Sequence, residues 1–236
     1  ESIGKKPEEK LSLGISVCRA SYCVRAVSDW MAQTLDKNQQ ISVRLYETNT
    51  DEAIEQVFRA ESALGIIRLP SFHADFYEQQ LKHRSLCHAP LMDFRMMLIM
   101  RAGHPLSEFP DITLEDLYQY TEIVHGDQQI PDMSRISPLI HSVPPRRIYV
   151  YDRGSQIDLL DRLPGAYMWV SPIPLDMVDS YGMILKSSSL STAVNRDLLI
   201  WRRGALSDPR LKSLSQFLHR YAARLKEDTL KRLDPA

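Results

Sequence analysis

The fold is decided by residues 11–70, LSLGISVCRASYCVRAVSDWMAQTLDKNQQISVRLYETNTDEAIEQVFRAESALGIIRLP. Apolar residues first alternate with small or polar ones, as in a strand, and then recur at helical spacing. The pattern predicts strands at Leu11–Val17, Ile41–Tyr46 and Ala63–Arg68, with helices at Ser21–Leu35 and Asn49–Arg59. Strands that alternate with helices in this way build a mostly parallel α/β sheet.

Small or polar loops follow the three predicted strands, at Cys18–Tyr22, Glu47–Thr50 and Leu69–Ser71. In an open α/β sheet, ligands bind outside the carboxyl ends of the strands. We therefore expect these three loops to face one cleft, and we expect function there.

A similar pattern recurs farther along the chain. An extended segment at Leu86–Met100 precedes a helix capped by Thr113 and a strand that ends at His125. Further elements are a short helix at Ser137–His141, strands at Arg147–Tyr151, Ala166–Val170, Met183–Lys186 and Val194–Arg202, a helix capped by Ser155, and a final helix from Pro209. We infer two α/β lobes joined by two crossover segments. Residues 11–92 and 195–236 form the first, residues 93–194 the second, and residues 1–10 are the remnant of a linker.

Composition narrows the classes of function. The net charge of −1 gives no general attraction to nucleic acid or to an anionic membrane, and no apolar run is long enough to span a bilayer. The sequence contains no Gly-x-Ser-x-Gly elbow, His-Glu-x-x-His pair, phosphate loop or dinucleotide fingerprint, so we expect no catalytic residues, no metal and no cofactor. The cysteines Cys18, Cys23 and Cys87 show no disulfide framework; Cys18 and Cys23 are either a redox pair or buried thiols.

The chain resembles the effector-binding (regulatory) domain of LysR-type transcriptional regulators. The resemblance rests on Leu11-Ser-Leu-Gly-Ile-Ser16, Ile41–Thr48, Ala63–Ile67, Gly103-His-Pro-Leu106 with Ile112–Leu117, and Leu159–Pro172, and it covers nearly the whole chain. It implies two Rossmann-like lobes of the type 2 periplasmic-binding-protein-like fold, with a small-molecule effector between them. Many family members have glycine in place of Ala60 or Glu61.

The resemblance also implies how the protein works. It predicts a cytoplasmic bacterial protein that is not an enzyme, that forms a homodimer or a tetramer, and that controls transcription. It would contact DNA only through an N-terminal winged helix-turn-helix outside this chain and would not contact the membrane. The alternative is an extracytoplasmic solute-binding protein of the same fold.

Polar side chains at the predicted strand ends are the candidate effector-binding residues: Arg19, Ser21, Tyr22, Thr48, Asn49, Arg68, His125, Asp127, Tyr151 and Ser171. Helix starts, hydroxyls and a cation suit a small anion or polar metabolite. Five of the candidates have a simpler explanation. Ser21 and Asn49 are also typical helix caps, Arg19 and Arg68 surface arginines, and His125 a locally hydrogen-bonded histidine. For Trp169 we favour core packing over a stacking role.

Overall fold

The computed structural model describes residues 11–36, 40–126 and 132–233, which form two five-stranded mixed sheets covered by helices. We name the two resulting bodies lobe I and lobe II. The chain first builds most of lobe I from β1 (Leu11–Cys18), α1 (Ser21–Thr34), β2 (Ile41–Thr48), α2 (Thr50–Phe58), β3 (Leu64–Pro70), α3 (Ala74–His83) and β4 (Leu86–Phe94). The N-terminal linker prediction lies outside the described residues.

Lobe II follows and contains β5 (Met97–Arg101), α4 (Leu114–Tyr118), β6 (Thr121–His125), β7 (Arg147–Val150), α5 (Arg153–Arg162), β8 (Ala166–Val170), α6 (Leu175–Ser180) and β9 (Met183–Lys186). The chain then returns to lobe I with β10 (Asn195–Arg202) and α7 (Pro209–Leu233). Short 3₁₀ turns occupy Ser71–His73, Pro105–Glu108, Asp132–Arg135 and Ala205–Ser207. The predicted two-lobed α/β class is confirmed.

The two sheets have the same plan. Their strand orders are β2-β1-β3-β10-β4 and β7-β6-β8-β5-β9. In each sheet the first three strands are parallel, and the fourth, β10 or β5, runs antiparallel to its neighbours. Each of these antiparallel strands directly follows a passage of the chain between the lobes. The carboxyl ends of the parallel strands in both sheets are therefore the places to look for a site.

Local sequence explains the elements that surround these strand ends. Every residue of β3 is buried, as expected for a central strand covered on both faces. Helix α1 buries Cys23, Val27 and Trp30, which lie one helical turn apart on one face. Asn49 caps α2 as predicted, since its side chain accepts a hydrogen bond from the backbone N–H of Glu52.

Three local predictions are wrong. Ser21 does not cap α1: Ala20 occupies the cap position, with no side-chain hydrogen bond. Ser155 does not cap α5, because the Asp152 carboxylate accepts its N–H at 2.7 Å and the helix begins earlier. The predicted helix at 137–141 is a turn, in which Ser137 Oγ accepts the backbone N–H of Leu139 instead of allowing helical pairing.

The loop after α2 brings two unusual backbone positions together. Ala60 has a φ of 67°, in the left-handed region that favours glycine. The loop then passes so close to β1 that a Cβ on Gly14 would lie 2.2 Å from the carbonyl oxygen of Glu61. The backbone N–H of Ala63 donates to the Gly14 carbonyl at 2.8 Å. Gly14 is thus required by close packing of the loop against the strand.

Candidate ligand-binding cleft between the lobes

A cleft between the lobes is lined by residues from both. Lobe I contributes Arg19, Ala20, Ser21 and Arg68; lobe II contributes Ile99, His125, Arg153, Gln156, Ile157, Leu160, Met168, Trp169, Val170, Ser171 and Ile173; Met96 and Arg135 complete the lining. The empty volume is about 600 Å³ including the mouth, but much of it is narrow. The lobes therefore stand close together in this structure.

The lobe I wall is the start of α1, which follows the carboxyl end of β1 after a two-residue connection. Ala20 holds the cap position, and the first turn contains no acidic side chain. The free backbone N–H groups and the helix dipole therefore present partial positive charge toward the cleft. Ser21 and Arg19 line the cleft beside this helix start.

The lobe II wall carries two buried hydrogen-bond donors. Gln156 on α5 is 2% exposed and Trp169 on β8 is 9% exposed. In the described part of the chain, neither Gln156 Nε2 nor Trp169 Nε1 has a hydrogen-bond partner. Leaving a buried donor unpaired costs about 1–3 kcal/mol, so two of them side by side in one cleft need an explanation.

A buried ion pair lies behind the lobe I wall. Arg68 Nε and Nη2 donate to the two carboxylate oxygens of Asp197 at 2.7 Å each, and Tyr22 Oη donates to the same carboxylate at 2.5 Å. Burial opposes the charge of Arg68, but Asp197, with contributions from Cys18 and Tyr22, outweighs burial and raises the Arg68 pKa well above its ordinary value. Burial, and then Asp197, also raise the pKa of Tyr22, which stays protonated.

Cys18 and Cys23 adjoin this ion pair. Their Sγ atoms are 3.9 Å apart, and together with Asp197 they form a group with metal-ligand atoms within 4.8 Å of one another. Both oxygens of Asp197 already accept hydrogen bonds, so a cation there would compete with Arg68. Burial raises the pKa of the Cys23 thiol, which lowers its reactivity. The arrangement favours buried thiols over a redox pair.

Charged pairs connect the lobes on two sides of the cleft. Glu47 Oε1 at the end of β2 lies 3.3 Å from Arg153 Nη1 at the start of α5, a contact without hydrogen-bond geometry. Arg25 on α1 pairs with Asp176 on α6. Arg232 on α7 lies 2.5 Å from Asp179 on α6. Any separation of the lobes must lengthen or break these pairs.

The structure brings half of the sequence-predicted site residues together. Arg19, Ser21, Arg68, His125 and Ser171 line the cleft, although the Arg68 guanidinium is held by Asp197. The alternative reading of Arg68 as a surface arginine is wrong, because its side chain is only 5% exposed. Its two hydrogen bonds to Asp197 give it a structural role in lobe I.

Four other predicted residues lie elsewhere. Tyr22 points into the lobe I core, where it bonds to Asp197. Thr48 does not line the cleft, and its neighbour Glu47 contacts lobe II instead. Asn49 caps α2 and lines a separate groove between α2 and α3, and Tyr151 is 65% exposed with its ring over Gly126. Asp127 lies outside the described residues.

Sequence reasoning missed several lining residues. Gln156 precedes Leu160 by one helical turn and shares its buried face, so a polar residue in the apolar stripe of α5 was the available signal. Trp169 contributes to the core as predicted, and its indole N–H also borders the cleft. No sequence pattern indicated that Arg135 and Arg153 line the cleft, because their positions there depend on how the two lobes meet.

Three solved structures show the same two-lobed, periplasmic-binding-protein-like architecture. The regulatory domain of MetR, a LysR family regulator from N. meningitidis, is 12% identical, with 90% of this chain and 94% of that chain covered and a TM-score of 0.63. The effector-binding domain of QuiR in complex with shikimate is 16% identical (92% and 99% covered, TM-score 0.57). Corynebacterium glutamicum OxyR in its oxidised form is 14% identical (91% and 64% covered, TM-score 0.58).

The sequence itself identifies the family. The family model described as the LysR substrate binding domain matches residues 4–223. The chain therefore belongs to the LysR substrate binding domain family, as the resemblance implied, and it is a ligand-sensing regulatory domain. A search of curated protein sequences finds no match. None of the helices in the described ranges has the length and apolar character needed to cross a membrane.

Proposed function

We propose that this domain binds a small-molecule effector in the cleft between its lobes and thereby controls transcription. The observation that carries the proposal is the lining of that cleft. The start of α1 from one lobe lies across the cleft from two buried donors of the other lobe that have no partner among the described residues. Arg19, Ser21, His125 and Ser171 are the predicted residues that we retain as effector contacts. The remaining contacts are Gln156 and Trp169.

Effector binding would act through the arrangement of the lobes. A ligand shifts a conformational equilibrium only when it binds one arrangement more tightly than the other. A ligand that touches both walls meets this condition, because its contacts depend on the distance between α1 and α5. The interlobe pairs Glu47–Arg153 and Arg25–Asp176 would resist or favour a change in the distance between the lobes.

The full regulator would be a cytoplasmic homodimer or tetramer that contacts DNA through an N-terminal winged helix-turn-helix. The oxidised OxyR chain gives support, since the match covers 64% of that longer chain. Movement of the lobes would alter the spacing of the attached DNA-binding domains. The chain would do this without catalysis, and without a metal or cofactor.

A thermal-shift screen of small metabolites tests the proposal, because a ligand that binds only the folded state raises the melting temperature. Ser21→Trp should fill the cleft and abolish the shift that a ligand gives. The matched control is Ser28→Trp, which places the same bulky side chain on an exposed part of the same helix and should leave the shift unchanged.

The full-length regulator provides the second measurement. A metabolite that stabilises the domain should also change the footprint of the regulator on its promoter, and Ser21→Trp should remove that response. Equal ligand shifts in the Ser21 and Ser28 variants would contradict the proposed site. A ligand that binds the cleft and leaves the DNA footprint unchanged would contradict the proposed control of transcription.

A further inference from the structure

The unpartnered donors Gln156 Nε2 and Trp169 Nε1 lie at the inner end of the cleft, where it meets a second, smaller cavity. Both residues line both cavities. Each atom is buried and offers hydrogen to an acceptor that the described part of the chain does not provide. An indole N–H only donates, so Trp169 requires an acceptor other than those of the described residues, and a ligand in the cleft can supply it.

The charges around these donors favour a negatively charged acceptor. Four arginines (Arg19, Arg68, Arg135 and Arg153) line the cleft, whereas no Asp or Glu of the described ranges does. Asp197 pairs with Arg68, Glu47 lies 3.3 Å from Arg153, and Arg19 and Arg135 have interactions of their own, so the four arginines lend the cleft only part of their charge. Glu122 borders the second cavity, but its carboxylate accepts from Arg147 Nε at 2.8 Å.

The start of α1 adds to this preference. It is a 14-residue helix without an acidic residue in its first turn, and its first residue, Ser21, lines the opposite wall. Backbone N–H groups at a helix start bind anions through direct hydrogen bonds and through the helix dipole. The two walls therefore present donors to the same space.

Most of the remaining lining is apolar, with His125 and Ser171 as the polar exceptions among the described residues. Ile99, Ile157, Leu160, Met168, Val170 and Ile173 all come from lobe II. A ligand with several hydroxyl groups would bury donors against these side chains without partners, at a free-energy cost. A compact apolar body would instead gain from burial there.

We infer that the effector is a small organic acid: an acidic group that accepts from Gln156 and Trp169, joined to a compact apolar body. The inference rests on the proposed function and specifies the class of ligand for that cleft. Replacing the acid by its neutral amide should weaken binding, because the amide brings a donor N–H₂ to a site that already donates.

The experiment uses a defined panel of probes: acetate, butyrate, hexanoate, benzoate, phenylacetate and cinnamate, each paired with its primary amide, and sulfate as an anion without an apolar body. Thermal shift ranks the probes on the wild-type chain. Spectra of ¹⁵N-labelled protein then follow the indole N–H signals of Trp30, Trp169 and Trp201, with the Trp169 signal assigned by its loss in Trp169→Phe.

Two variants remove the donors: Gln156→Met keeps a side chain of similar size, and Trp169→Phe keeps an aromatic ring while removing the pyrrole part of the indole. Their matched controls are Gln79→Met on the exposed face of α3 and Trp201→Phe on β10, both outside the cleft. A hydrogen bond to a charged group corresponds to about a 10- to 100-fold change in affinity. We expect each cleft variant to bind the best acid weaker by that factor, and the controls to bind it normally.

The inference is supported if at least one acid stabilises the chain more than its amide does, moves the Trp169 indole signal and loses affinity in both cleft variants. It is overturned if none of the acids binds, or if the cleft variants bind as tightly as the controls. Neutral probes that move the Trp169 signal when the acids do not would overturn the acid class and leave the proposed cleft intact. Probes that bind and leave Trp169 unaffected would overturn both.

Discussion

Replacing Arg68 by methionine should destabilise the protein rather than merely weaken ligand binding. The Arg68 side chain is 5% exposed and Asp197 is fully buried, and two 2.7 Å hydrogen bonds join them. Among the described residues, the variant leaves the buried Asp197 carboxylate with Tyr22 as its one remaining donor. Removing one partner of such a pair costs about 3–5 kcal/mol, because the remaining charge is uncompensated.

The size of this effect makes it measurable. In a chain of 236 residues, a loss of 3–5 kcal/mol lowers the melting temperature by roughly 6–20 °C. Urea denaturation gives the free energy of unfolding directly. The control is Arg59→Met, which breaks an exposed pair with Glu55 on α2 and should cost about 1 kcal/mol or less.

A double variant shows whether the lost stability comes from the uncompensated charge of Asp197 or from lost packing of the Arg68 side chain. Arg68→Met combined with Asp197→Leu removes both charges, and Tyr22→Phe can be added to remove the orphaned hydroxyl. Replacement of a whole buried pair by apolar residues is often neutral or stabilising, by about 1–4 kcal/mol. We therefore expect the combined variant to recover most of the stability that Arg68→Met loses.

The combined variant supplies the decisive check. A loss of stability below about 1 kcal/mol in Arg68→Met, or a combined variant no more stable than Arg68→Met alone, would refute the buried-pair argument.

Three further predictions concern single positions. Ala60→Gly should raise the free energy of unfolding by about 0.5–1 kcal/mol in urea denaturation, since Ala60 has a φ of 67°; a loss of stability would contradict this. Burial lowers the pKa of His104, so its contribution to stability is present above about pH 6.5 and is lost as the pH falls below it. His104→Asn keeps an acceptor for the backbone N–H of Leu106. In denaturation curves taken from pH 7 to 5, this variant should lose less stability than the wild-type chain. An equal loss in both chains would contradict the role given to His104. Glu47→Gln should weaken the pair with Arg153 by about 1 kcal/mol or less and speed hydrogen exchange at the start of α5. Unchanged exchange there would contradict a stabilising contact between Glu47 and Arg153.

Hydrophobic periodicity was enough to predict the elements around the cleft. β1, α1, β2, α2 and β3 all occur, and β3 ends at Pro70 rather than at the predicted Arg68. The pattern in residues 11–70 is strong because buried parallel strands and one-sided helices leave different periods in the sequence. The extended segment 86–100 was harder: it splits into β4 and β5 because its two halves pair with different sheets.

The site was only partly predictable, for physical reasons. The strand-end rule correctly placed Ser21, His125 and Ser171 at the cleft. It could not foresee that Arg68 pairs with Asp197, which is 129 residues away in sequence. It also ignored Gln156 on α5, since the rule considers loops and not the buried faces of helices.

The account depends most on where an effector sits. A crystal structure of the domain with a stabilising small molecule tests this directly. We predict electron density for the ligand between Ser21 at the start of α1 and the donors of Gln156 and Trp169, within hydrogen-bond distance of both walls. A ligand bound elsewhere, with the cleft still narrow and the two donors still unpaired, would contradict the account.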